Sequence, residues 1–175
     1  MRNRIMMILC FLLPLSAIQC QEAGSKMELD TADISALIKK KPYTLIYYWT
    51  TWCGPCRKTL SETLPQITKS LDSSKVQLLV IAVSADEKAV SEIRSKSTLK
   101  SPPYRLKFFG PDIWLSHKAA IKSSLEELFP DQQIWNNSVP VFLLTNENQK
   151  VLYKKLPSSL EHLPPLLHEN GLLVN

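Results

Sequence analysis

Leu45-Ile46-Tyr47-Tyr48-Trp49-Thr50-Thr51-Trp52-Cys53-Gly54-Pro55-Cys56 joins a near-continuous apolar run to two thiols three positions apart. A run of that length and aromatic content predicts a strand covered on both faces. Two cysteines with this spacing, placed just after a strand, form a pattern suited to reversible dithiol–disulfide chemistry. A zinc site would need a second ligand pair at suitable spacing, and the chain offers none.

The chemistry expected of the pair follows from its place at a helix start. A thiolate attacks a disulfide far better than a thiol, and a helix N-terminus supplies partial positive charge and free N–H groups that stabilise it. Cys53 is so placed and reads as the nucleophile, with a thiol pKa below the ordinary value of about 8.5. Cys56, one turn further in, reads as the buried resolving thiol that closes a Cys53–Cys56 disulfide. Pro55 suits the first turn, where its missing donor costs little, and Gly54 lets a partner chain approach closely. Trp52 either packs over the helix start or forms an apolar lip for substrate. A static disulfide is the bland alternative, but one across so short a loop restrains little of the unfolded chain.

Outward from this segment, Asp30 or Thr31 caps a helix reaching about Lys40, with Ile34, Leu37 and Ile38 on one face and Pro42 as its stop. Tyr43 to Trp49 and Val76 to Val83 read as buried strands. Between them, Arg57 to Leu71 has helical spacing, with a kink expected at Pro65. Ser84-Ala85-Asp86-Glu87 resembles a capping box opening a helix through Val90 and Ile93 to about Lys96. The alternation of elements argues for parallel strands with helices on the sheet faces.

From Thr98 to Asn137 the pattern is weaker. Tyr104 to Phe109 suggests a short strand, Gly110-Pro111-Asp112 a turn, and Ile113 to Phe129 a helix through Ala120, Ile121, Leu125 and Leu128. Trp114, Phe129 and Trp135 read as core or rim packing. Val139 to Thr145 and Lys150 to Lys154 predict an antiparallel hairpin over Asn146-Glu147-Asn148-Gln149, where asparagine tolerates positive φ. Ser158 to His168 suggests a short final helix with a capping box at Ser158 and Glu161, broken or kinked by Pro164-Pro165. His117, His162 and His168 fall in predicted polar helix or tail, outside any ligand spacing with the cysteines, and read as solvated. No metal site and no cofactor is expected.

The 175 residues are 45% hydrophobic and 21% charged, ordinary for one globular domain. The formal charge is +5; of the 21 basic side chains, removing Arg2 and Arg4 with the N-terminus leaves 19 against 16 acidic ones. Lysines are scattered apart from Lys39-Lys40-Lys41, which argues against a nucleic-acid partner. Met1 to Cys20 has a basic start, an apolar stretch from Ile5 to Leu15 and small Ser16 and Ala17, the pattern of a signal peptide. The apolar stretch is too short to span a membrane stably. Leu15-Ser16-Ala17-Ile18-Gln19-Cys20 also resembles a bacterial lipoprotein box, with Gln19 and Ala17 departing from its usual residues. Cys20 is thus a candidate for lipidation, and Cys10 is discarded with the apolar stretch. Residues 21–26 read as a tether and 27–175 as the domain.

The segment Tyr47 to Lys58, with Ser138-Val139-Pro140-Val141-Phe142, resembles the thioredoxin superfamily, and the leader, insert and hairpin make it most similar to the exported TlpA/ResA-like branch. That resemblance implies an α/β thioredoxin-like fold, a central mixed sheet flanked by helices, with an insert before a cis-proline hairpin. It implies a cis Pro140 facing the cysteines, with Val139 presenting its backbone to an extended substrate. Four features depart from the family: Tyr47 replaces a buried acidic or amide residue that helps move a proton for Cys56, Pro65 lies later than the usual helix proline, the hairpin loop lacks glycine, and Thr98 to Asn137 matches poorly, which bears on partner specificity rather than on the redox chemistry. The function implied is an exported enzyme reducing protein disulfides, with a membrane electron donor and membrane attachment only through a lipid at Cys20. The competing readings are a redox-gated binding module with little turnover and a peroxide-reducing enzyme on the same fold.

Overall fold

The computed structural model describes residues 27–108, 110–111, 113–135, 137–155 and 163–174. The expected leader, the tether, Cys20, the Ser158/Glu161 capping box and His162 lie outside them. The described chain opens with a two-residue strand, β1 (Glu28–Leu29), which the sequence reading did not include. Its length leaves no room for an alternating pattern. Helix α1 (Thr31–Ile38) follows, capped by Asp30 in a reciprocal box with Asp33 and burying Ile34 and Ile38.

Strand β2 (Tyr43–Trp49) is buried from Thr44 onward. Helix α2 (Gly54–Lys58) runs into a π-helical turn (Thr59–Thr63) and then α3 (Leu64–Ser70). The expected kink at Pro65 thus takes the form of a wide turn just before it. There the Leu64 N–H donates to the Thr59 carbonyl five residues back, next to a proline that has no N–H to donate.

After β3 (Val76–Ala82), the next helix is α4 (Glu87–Lys96). Its cap is Asp86, accepting from the Ala89 N–H, rather than the expected Ser84 box. Ser84 Oγ is otherwise engaged, accepting from the Asp86 N–H and hydrogen-bonding the Thr51 hydroxyl at 3.0 Å. Strand β4 (Tyr104–Leu106) is shorter than expected, and α5 (Trp114–Leu128) matches its expected span closely.

The hairpin is β5 (Val141–Asn146) with β6 (Val151–Lys155). Its positive φ falls on Gln149 and not on an asparagine. Asn146 instead accepts from the Asn148 and Lys150 N–H groups through its side chain, holding the turn. In α6 (Leu163–Glu169), Pro164 and Pro165 sit in the first turn, where their missing donors do not interrupt the helix. It ends at Gly171, φ 62°, with the Leu172 and Gly171 N–H groups donating to Leu167 and His168 in a Schellman arrangement.

The strands form one six-stranded mixed sheet in the order β1-β4-β3-β2-β5-β6. β1, β4, β3 and β2 pair in parallel, while β5 pairs antiparallel to both β2 and β6. Alternate residues of β2 serve opposite layers, as the pleat requires. Leu45, Tyr47 and Trp49 join Cys53, Cys56, Leu60, Leu64 and Val90 on one face. Ile46 and Tyr48 join Ile34, Ile38, Ile121 and Leu125 on the other.

Candidate active site

β2 ends at Trp49, and the Cys53 N–H donates to the Thr50 carbonyl at 3.3 Å, closing a tight turn onto α2. Cys53 is the extended N-cap of α2, with Gly54 and Pro55 as its first two residues. The two cysteines are joined in a disulfide with a Cα–Cα distance of 5.2 Å. Cys53 Sγ accepts from the Cys56 N–H at 3.2 Å. That N–H is aimed where negative charge develops when the disulfide opens, so the turn is preorganised to stabilise a Cys53 thiolate. Cys53 is 6% exposed and Cys56 is fully buried.

Behind the pair stands Tyr47, whose hydroxyl donates to the Cys56 carbonyl at 3.0 Å. Burial raises its phenol pKa well above the ordinary value, the Thr59 side chain opposing this weakly. Tyr47 is therefore a neutral structural donor rather than a proton carrier near neutral pH. In front, a β-carbon added at Gly54 would meet no atom within 4 Å, so the approach to the disulfide is open there. Gly54 also borders a groove of about 470 Å³ with Leu60 and Ile93 in its wall and Arg57, Lys58 and Lys96 at its edges.

Val139–Pro140 is a cis peptide bond, as the resemblance implied. Pro140 is buried one residue before Val141, which pairs with Tyr48. Val139 is half-buried and packs against the cluster that contains Cys53 and Cys56.

His117 corrects the sequence reading. It is not solvated but fully buried, and its Nδ1 accepts from the Trp52 indole N–H at 2.6 Å. The two rings lie nearly parallel, 16° apart in plane with centroids 6.1 Å apart, and Phe108 meets the imidazole edge-on at 5.5 Å. A signal existed: His117 stands four residues before Ile121 and eight before Leu125, on the buried stripe of α5. His168, by contrast, is exposed as expected. Of the three aromatic residues assigned to core or rim, Phe129 is core and Trp135 half-buried. Trp114 is half exposed beneath the Lys118 ammonium. Among the described residues no group of three or more His, Cys, Asp or Glu side chains could hold a metal ion.

A cysteine pair at a helix start on the end of a central strand, beside a cis-proline turn, defines a thiol–disulfide oxidoreductase of thioredoxin-like fold. Residues 25–109 match the family model described as Thioredoxin. Over 89 residues the chain is 30% identical to a thioredoxin-like protein of Synechocystis sp., covering 50% of this chain and 76% of that one. The chain belongs to the thioredoxin family. The fold is shared with the thioredoxin domain of a thiol-disulfide oxidoreductase from Bacteroides vulgatus, at 17% identity and TM-score 0.55, covering 77% of this chain and 82% of that one. It is also shared with a thiol-disulfide oxidoreductase from Bacteroides fragilis, at 20% identity and TM-score 0.50, covering 73% and 80%. The family match ends before α5, so His117 and Pro140 both lie beyond it.

Proposed function

We propose that this chain is an exported thiol–disulfide oxidoreductase that reduces disulfides in protein substrates. The observation carrying the proposal is the N-cap geometry: Cys53 Sγ receives the Cys56 N–H, with Cys56 buried directly behind it. In the reduced protein, the Cys53 thiolate attacks one sulfur of a substrate disulfide. The mixed disulfide forms as the substrate S–S bond breaks, and the departing substrate thiolate takes up a proton. Cys56 gives up its proton to water, and its thiolate attacks Cys53 Sγ, closing the Cys53–Cys56 bond and expelling the second substrate sulfur as a thiolate that takes up a proton. Two electrons pass to the substrate, and a dithiol reductant must restore the pair.

In this reading Trp52, Gly54 and Pro55 form the rim over which a substrate reaches Cys53, and Val139 and Pro140 form the ledge along which it lies extended. Residues 1–20 serve as a leader that delivers the domain, 27–175, to an oxidising bacterial periplasm or envelope. A membrane electron donor keeps it reduced there, and a lipid on Cys20 would tether it. What supports export is the leader pattern together with a redox pair that needs outside electrons to stay reduced in such a compartment.

The test is reduction of insulin by the purified protein with a dithiol reductant, paired with trapping by Cys56→Ser. The expected results are insulin reduction well above that by the reductant alone, and covalent adducts formed through Cys53 that a further Cys53→Ser change abolishes. Flat insulin reduction without adducts would overturn the proposal. Partner binding that depends on oxidation state, again without adducts, would favour the redox-gated binding module.

A further inference from the structure

We propose that His117 is a positioning residue for substrate recognition: it locks the Trp52 indole beside Cys53 into one orientation and thereby raises affinity for protein disulfides over small ones. The inference rests on the oxidoreductase reading but uses a contact that reading does not require.

The indole N–H is a donor only, so the imidazole nitrogen it meets at 2.6 Å must be an acceptor. His117 therefore carries no proton on Nδ1, and its ring lies nearly parallel to the indole while Phe108 closes on its edge. The imidazole is fully buried in α5, whereas Trp52 is 45% exposed. One side of the indole is thus fixed to a rigid element and the other is offered to solvent next to the nucleophile. Without the hydrogen bond, an aromatic side chain at a turn is free to change rotamer, and ordering it on binding would cost affinity. A polypeptide presenting its disulfide to Cys53 has to cross this surface. A small disulfide has only to bring its sulfurs to Cys53. Helix α5 is held in turn by Ser124, whose hydroxyl bonds the Tyr48 hydroxyl at 2.8 Å, so the clamp is referenced to the same strand that carries the active-site turn.

Two substitutions separate positioning from mere packing. His117→Phe keeps a ring but loses the acceptor, while His117→Asn keeps an acceptor on the same side-chain branch. The first readout is hydrogen exchange of the Trp52 indole N–H by NMR, assigned with Trp52→Phe. We expect His117→Phe to speed this exchange about tenfold or more and His117→Asn to restore slow exchange. The second is steady-state kinetics on insulin and on an aromatic small-molecule disulfide. His117→Phe should raise KM for insulin about two- to tenfold, the range one hydrogen bond supplies, with kcat and small-disulfide reduction unchanged and with rescue by Asn. If His117→Phe does not fold, His117→Leu, which also lacks the acceptor, takes its place in both readouts. Unchanged indole exchange, an unchanged KM for insulin, or equal loss on both substrates without rescue by Asn would overturn the proposal. A wild-type chain that reduces neither substrate overturns the oxidoreductase reading instead, and indole exchange still decides whether His117 holds Trp52.

Discussion

Tyr47 stands on β2 with its hydroxyl against the Cys56 carbonyl, at a position where the resemblance implies a buried carboxylate or amide. The substitution changes what the wall behind Cys56 can do. A buried carboxyl group can exchange a proton in the neutral range, whereas this phenol is pushed further from it by burial. Its remaining contribution is a hydrogen bond to a carbonyl that also accepts from the Thr59 N–H inside the helix. Tyr47→Phe should therefore cost about 1 kcal/mol of stability, since the carbonyl keeps one partner. It should leave the pH dependence of disulfide reduction unshifted. Denaturant unfolding and a pH–rate profile check the two halves, and a displaced profile would make Tyr47 part of the proton path.

At the scale of elements, the helix carrying Cys56 contains one residue more than a regular α-helix of the same length would. The π turn at Thr59–Thr63 holds that residue on the exposed side while Leu60 and Leu64 stay buried. Deleting the exposed Glu62 should let the turn anneal to α-helix, leaving Cys56, Leu60 and the following leucine on one face. Its ion pair with Lys58 is exposed on both sides and its loss matters little. The expected cost is under about 2 kcal/mol. Deleting Thr68 from regular helix α3 should cost more, because no wide turn there absorbs the change and Leu71, buried just past the helix end, is carried about 100° off its face. Comparing the unfolding free energies of the two variants decides it. The same helix shows what the sequence made legible. Pro65 announced an irregularity, but whether a proline bends a helix or sits after a wide turn depends on which side chains must stay buried, and that is a tertiary matter. The β2 strand, α2 and the cysteine pair could be read because local pattern and global placement agree there. His117 is legible only in part: its spacing from Ile121 and Leu125 puts it on the buried stripe of α5, but its partner, Trp52, arrives from 65 positions away in sequence. β1 is not legible for a related reason: two residues become a strand only by pairing with β4.

Across the whole molecule, β2 links the two layers through consecutive tyrosines. Tyr47 faces the cysteine side and meets Phe142 edge-on, while Tyr48 faces α1 and α5 and hydrogen-bonds Ser124. Both are fully buried, and in each case desolvation raises the phenol pKa well above its ordinary 10.0. The sign of the linkage follows. Above pH 10 the unfolded chain sheds these protons while the folded chain keeps them, so the unfolded state binds fewer protons and stability falls as pH rises. The contribution is complete below pH 10 and is lost progressively above it, each ring adding a slope of about 1.4 kcal/mol per pH unit until its folded form ionises as well. Denaturant unfolding of the oxidised protein between pH 9 and 11.5 should show this alkaline limb. Tyr47→Phe and Tyr48→Phe should each flatten it by one ring's share, and the double substitution by both. Because the two rings occupy opposite faces of one strand, additive flattening with a single cooperative transition would show the two layers unfolding together. An unchanged slope in both single variants would mean that neither phenol is shielded from water as the fold requires.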